Sequence, residues 1–128
     1  VTVEADIYTR LSGYTTLAAL ISTRVYPSLL PQNATYPAVS YRRVSSERPP
    51  VMGDDTGIVR ARFQFDAWAQ SYSGMIAVKE LVREALQRHR GTATVEILET
   101  FILMDTDLYE DDTRIHHGVI DVEINYRE

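Results

Sequence analysis

The sequence predicts an α+β fold: a mostly antiparallel four-stranded sheet with a long helix and short N-terminal helices packed on it. Three observations lead there. Residues 58–69 alternate apolar and polar side chains with a period of two, as a strand with one buried face does. Residues 73–90 repeat apolar side chains at spacings of three and four, as an amphipathic helix does. The order along the chain is short helices, two strands, a helix and two strands, which suits a sheet with its helices on one face.

The elements follow in order. Glu4 to Ser12 puts Ile7, Tyr8 and Leu11 on one helical face, and Gly13 ends the run. Thr15 or Thr16 can cap a second short helix with Leu17, Leu20 and Ile21 inward. Helices this short depend on packing. Val25 and Tyr26 fit a short edge strand. Residues 27–37 carry Pro27, Pro31 and Pro37 and read as an extended connector, because each proline fixes φ and removes a donor. Residues 38–46 read as a strand with Val39, Tyr41 and Arg43 on one face and Ser40, Arg42 and Val44 on the other. Ser45 to Gly57 has the proline, glycine and aspartate content of a long loop.

In the strand 58–69, Val59, Ala61, Phe63, Phe65 and Ala67 face the core. Arg60, Arg62, Gln64, Asp66 and Trp68 face water or a later cover. The helix 73–90 buries Met75, Val78, Leu81, Val82, Ala85, Leu86 and His89, leaving Lys79, Glu80, Arg83, Glu84, Gln87 and Arg88 outside the stripe. Ser71 or Ser73 caps its start, Gly91 ends it, and Glu84 pairs with Arg88 one turn on. A strand at 93–104 has Val95, Ile97, Phe101 and Leu103 on one face and Leu98, Ile102 and Met104 on the other. A strand apolar on both faces needs cover, from the N-terminal helices or from another subunit. An acidic turn at 105–112 precedes a last strand in which Ile120, Val122, Ile124 and Tyr126 oppose Val119, Asp121, Glu123 and Asn125.

Composition limits the function classes. The 128 residues, 45% hydrophobic and 24% charged, suit one domain over 1–128 with a single core. There is no cysteine, so disulfide, thiol and iron–sulfur chemistry are excluded, as are cysteine-ligated zinc sites. No apolar run is long enough to span a bilayer, and the first residues lack the apolar block of a signal peptide, so synthesis in the cytoplasm is expected. The net charge of −5 argues against non-specific nucleic-acid binding. That charge is unevenly placed. Residues 1–64 hold seven arginines against five acids, for +2, and residues 65–128 hold six basic side chains against thirteen acids, for −7. Such asymmetry fits a surface that meets another copy head to side, or charges that simply face solvent.

No catalytic constellation stands out, and no cofactor motif is present. His116 and His117 are adjacent in a strand and point to opposite faces, so they cannot chelate one ion together. The run Asp105, Asp107, Glu110, Asp111 and Asp112 invites a calcium reading, but Glu110 and His116 stand where a calcium loop places glycine and glutamate. A solvated acidic turn or a subunit contact is the better reading. Asn33-Ala34-Thr35 matches a glycosylation pattern by chance. Arg42, Arg43, Arg48, Arg60 and Arg62 gather on two strands that should pair, and Trp68 shares the alternation of Arg60 and Arg62. Arg and Trp are favoured at interface centres. These residues, with Asp54 and Asp55 of the 46–57 loop and the acidic stretch 105–112, are candidate subunit or partner contacts. A solvated sheet face is the plainer alternative.

Several stretches together resemble one family. They are Leu17-Ala-Ala-Leu-Ile21, Arg24-Val-Tyr-Pro27, Leu30-Pro-Gln32, Tyr36-Pro-Ala-Val-Ser-Tyr41, Arg60-Ala-Arg-Phe-Gln-Phe-Asp66, Ala69-Gln-Ser-Tyr-Ser73, Asp107-Leu-Tyr-Glu-Asp-Asp-Thr113 and Asn125-Tyr-Arg-Glu128. In order and spacing they resemble the siphophage tail-completion proteins, or tail terminators, found also in prophages and gene transfer agents. The resemblance implies an α+β fold and a homohexameric ring at the head-proximal end of a tail tube. Such a ring stops tube polymerisation and meets the major tail tube protein on one side and the head-completion or connector protein on the other. It implies no enzymatic activity, no membrane contact and no specific nucleic-acid binding, although DNA can pass through the lumen. The implied location is the virion. Another neck or minor tail protein of similar fold, or a small α+β ligand-binding module, are the alternatives.

Overall fold

A computed structural model describes residues 3–21, 24–27, 35–48, 50–51, 54–55, 57–87, 90–92, 96–110 and 115–127. Among these residues three helices and eight strands follow in the order α1 (Val3–Ser12), α2 (Thr15–Ile21), β1 (Val25–Pro27), β2 (Ala38–Glu47), β3 (Pro50–Val51), β4 (Asp54–Asp55), β5 (Ile58–Ala69), α3 (Tyr72–Leu86), β6 (Gly91–Thr92), β7 (Glu96–Glu110) and β8 (Ile115–Arg127). The mixed α+β class is as expected, but the sheet has six strands rather than four, in the order β1-β2-β5-β8-β7-β6. Its centre is the expected antiparallel set of four long strands. Of the two short edges added to it, β1 was expected at Val25 and Tyr26 and pairs with β2 in parallel, whereas β6, of two residues, is too short to show a period.

One face of the sheet carries the core. Val59, Ala61, Phe63, Phe65 and Ala67 of β5 lie level with Tyr126, Ile124, Val122, Ile120 and Gly118 of β8, and all are buried except that the glycine has no side chain to bury. Phe65 stacks on Tyr41 of β2 with ring centroids 6.0 Å apart. Each large side chain removed from water here contributes roughly 1.5–3 kcal/mol. The helices lie over this face. In α1, Val3, Ile7 and Leu11 fall at i, i+4 and i+8 and are buried. Tyr8, expected inward, is instead exposed, and in α2 Leu20 is exposed while Leu17 and Ile21 are buried. Arg10 of α1 donates from Nε to the Ala85 carbonyl at 2.7 Å, placing a cation at the last turn of α3.

The main helix runs over Tyr72–Leu86, shorter at its end than the expected 73–90. Ser71 is the cap, its side chain accepting from the Gly74 amide, and the chain turns extended at Gln87 rather than at Gly91. Arg88 and His89 lie outside the described residues, as do the 28–34 part of the connector, Asn33 and the residues 93–95. Arg83 bonds to Glu80, one turn back. Lys79, expected outside the stripe, is buried, because β7 passes beneath it and supplies Asp107 as its partner.

Two further expectations are corrected. Residues 105–110 are not a turn but the second half of β7, paired with β8 from Ile115 to Ile120. Aspartate disfavours strands, but a long partner strand overrides that preference. Residues 45–57 are not loop throughout either, since β2 continues to Glu47 and β3 and β4 form a two-residue ladder.

Candidate assembly surface

The opposite face of the sheet has no helix on it among the described residues, and its side chains follow from the register. Trp68, Asp66, Gln64, Arg62 and Arg60 of β5 lie level with His117, Val119, Asp121, Glu123 and Asn125 of β8. Ser40 and Arg42 of β2 flank Asp66 and Gln64. These side chains are tied together. The Trp68 indole stacks on His117 with centroids 3.9 Å apart, and its Nε1 donates to the Ser40 hydroxyl at 3.0 Å. Ser40 and Gln64 in turn donate to the two oxygens of Asp66. His117 Nε2 lies 3.1 Å from Asp66 Oδ1 but is not aligned for a hydrogen bond, so we read that contact as electrostatic proximity. The carboxylate of Asp66 is buried under the two stacked rings, which is affordable only because polar neighbours satisfy it. This half of the face is therefore linked by side-chain contacts across β2, β5 and β8.

The other half is apolar and wet. β7 carries bulges between Ile97 and Glu99 and between Ile102 and Met104, and each bulge resets the alternation. Ile97, Thr100 and Ile102 therefore face the helices, while Phe101, Met104 and Leu108 point the other way. Phe101, Leu103, Met104 and Leu108 are 37%, 49%, 55% and 49% exposed, and they follow one another along one strand. Isolated exposed apolar residues are ordinary, but a row of them marks a contact. Simple alternation groups Ile97 with Phe101 and Ile102 with Met104; the bulges, which leave no local signature, put the members of each pair on opposite faces.

The arginines separate. Arg42, Arg60 and Arg62 are on the open face: Arg42 donates to Gln64, and Arg62 pairs with Asp121 at 3.1 Å. Arg43 is drawn to the helix side, where it pairs with Glu4 at 2.8 Å, bonds to the Tyr126 hydroxyl and lies over the Phe63 ring. It holds α1 to the sheet. Arg48 is exposed just past the end of β2. Asp54 and Asp55 form β4, and Glu110 ends β7. Asp111 and Asp112 lie outside the described residues.

On the helix side Asp105 and Asp107 of β7 converge on Lys79. Burial pulls the lysine's pKa down, but the hydrogen bond to Asp107 and the charges of Asp105, Asp107 and Glu80 outweigh it, and the value rises above the ordinary lysine range. Through residue 110 the backbone here is extended, so it does not wrap around an ion as a calcium loop does. The two adjacent histidines point to opposite sides, His117 to Trp68 and His116 edge-on to Tyr72. No helix among the described residues is long and apolar enough to cross a membrane.

The sheet thus has, among the described residues, one face free of helices and an apolar row along β7. A family model described as "Tail completion protein gp17" matches residues 5–127. A chain in the virion of a native gene transfer agent particle superposes with a TM-score of 0.75, over 95% of this chain and 92% of that chain, at 17% sequence identity. That likeness establishes the shared fold. Sequence comparison with curated proteins gives no match. With the family model spanning nearly the whole length, the chain belongs to the tail completion protein gp17 family.

Proposed function

We propose that this chain is a structural virion protein that forms a homohexameric ring at the head-proximal end of a phage-type tail tube, ends tube polymerisation and presents the surface to which the head joins. Family membership over residues 5–127 carries the reading. The exposed row Phe101, Met104 and Leu108 on β7 supports it, because a lone subunit would leave that surface in water. In this reading the partners are further copies of the chain, the major tail tube protein and a head-completion or connector protein. The work is done by shape and contact, with no catalysis and no cofactor, and DNA passes through the lumen without being read. The fold shared with a chain of a gene transfer agent virion is consistent with such a place.

Tails assembled without this protein test the proposal. Overlong tubes are the expected result. Tubes of normal length that fail to join heads would make the chain a neck part of similar fold, and normal tails on normal heads would overturn the reading.

A further inference from the structure

We propose that neighbouring copies join edge to edge, the outer edge of β7 in one copy pairing antiparallel with the outer edge of β2 in the next, so that their sheets run on as one. This rests on the ring reading and adds which surfaces make the contact.

Two bare edges carry the inference. β6 covers β7 only opposite Glu96 and Ile97. β1 covers β2 only at Val39, Ser40 and Tyr41. From Ile102 to Leu108 on β7, and from Arg42 to Glu47 on β2, no described strand pairs on the outer side. At the rise of a strand the two stretches are each roughly 20 Å long, so they match in length. Such edges offer rows of backbone donors and acceptors to any other strand, and folded proteins guard them with lysine, proline or a cover. Neither stretch contains lysine or proline. Each has one bulge, which twists the edge locally but leaves most of it open. The exposed Leu103, Met104 and Leu108 on one edge and the exposed Val44 on the other add apolar surface at the same places.

Topology fixes the direction. β2 is antiparallel to β5, β5 to β8 and β8 to β7, so β2 and β7 run in opposite senses within one subunit. A copy rotated about a ring axis keeps its sense, and its β2 therefore meets the first copy's β7 antiparallel, the better-bonded arrangement. Charge selects the partner. On the helix side β7 carries Asp105 and Asp107, and β2 carries Arg43 on that same side, Asp107 being held by Lys79 and Arg43 by Glu4 within the subunit. Pairing β7 with β2 sets opposite charges across the contact, whereas β7 with β7 or β2 with β2 sets like charges together. The resulting contact is heterologous, the kind that builds rings.

Cysteine cross-linking and hydrogen exchange test this. The chain has no cysteine of its own. Val44→Cys is combined in turn with Leu103→Cys, Met104→Cys, Thr106→Cys and Leu108→Cys, all at exposed positions. Within one subunit β5 and β8 separate the two sites by roughly 14 Å, beyond the reach of a disulfide. Under oxidation at least one double variant should give a ladder of covalent multimers, while the single variants do not. In wild-type rings, amides of 42–47 and 102–108 should exchange at least tenfold more slowly than in dissociated subunits. Rings that form with no cross-link in the panel and unchanged exchange at both edges would overturn the edge contact and leave the ring reading standing. A chain that is monomeric in solution and in assembled tails would overturn both.

Discussion

Lys79 shows how a single position can escape sequence reading. By helical period it belongs with the solvent-facing residues, yet it is buried against Asp107 of a strand that the sequence presents as an acidic turn. Its pKa is raised in the folded chain, so its contribution is fully present below the ordinary lysine range and is lost as pH rises through the folded value. Lys79→Met keeps the stem's packing and should cost about 1 kcal/mol at pH 7, a modest figure because Asp107 is partly exposed. Urea unfolding at pH 7 and at pH 11 checks this, with the gap between the proteins expected to narrow at the higher pH. The arginines divide in the same way. Arg60→Glu alters an exposed side chain with no ion pair among the described residues, and should change stability by less than about 0.5 kcal/mol while weakening assembly. Arg62→Glu sets a second carboxylate beside Asp121 and should also lower stability, by about 1 kcal/mol. Thermal melts and sedimentation of the two variants separate these effects.

Among the elements, β5 was legible because it is regular: apolar side chains at every second residue from Val59 to Ala67, with no bulge against β8. β7 was not, because two bulges shift its period and its aspartates imitate a turn. The short edge β1 was legible at Val25 and Tyr26, but β6, two residues long, carries no period of its own, and neither edge was counted in the four-stranded sheet. Close packing of α3 on β8 was equally hidden. A Cβ at Gly118 would lie 2.7 Å from the Met75 sulfur and 3.0 Å from Lys79 Cδ, so this glycine lets the helix sit down on the strand. Gly118→Val should push α3 outward and destabilise by about 1–3 kcal/mol. The cap is a smaller term: Ser71→Ala removes the acceptor for the Gly74 amide and should cost about 1 kcal/mol. Chemical denaturation of both variants checks the order of the two effects, Gly118→Val being the larger.

For the whole molecule, the residues singled out from the sequence do not form one patch. Arg42, Arg60, Arg62 and Trp68 share the open face, Arg43 and the paired Asp105 and Asp107 look to the helix side, and the apolar row on β7 stands at the outer margin of the sheet. Tertiary pairing decided that division, which no local pattern encodes. The family was legible in the order of many short weak motifs, and the full-length family match bears it out. A subunit with one helical face, one face free of helices and, among the described residues, two partly unpaired strand edges suits contact with neighbours. Cryo-electron microscopy of tails carrying this protein tests that contact most directly. The expected result is a closed ring of copies in mutual contact at the head-proximal end of the tube. Single, separated copies there, or none, would contradict it.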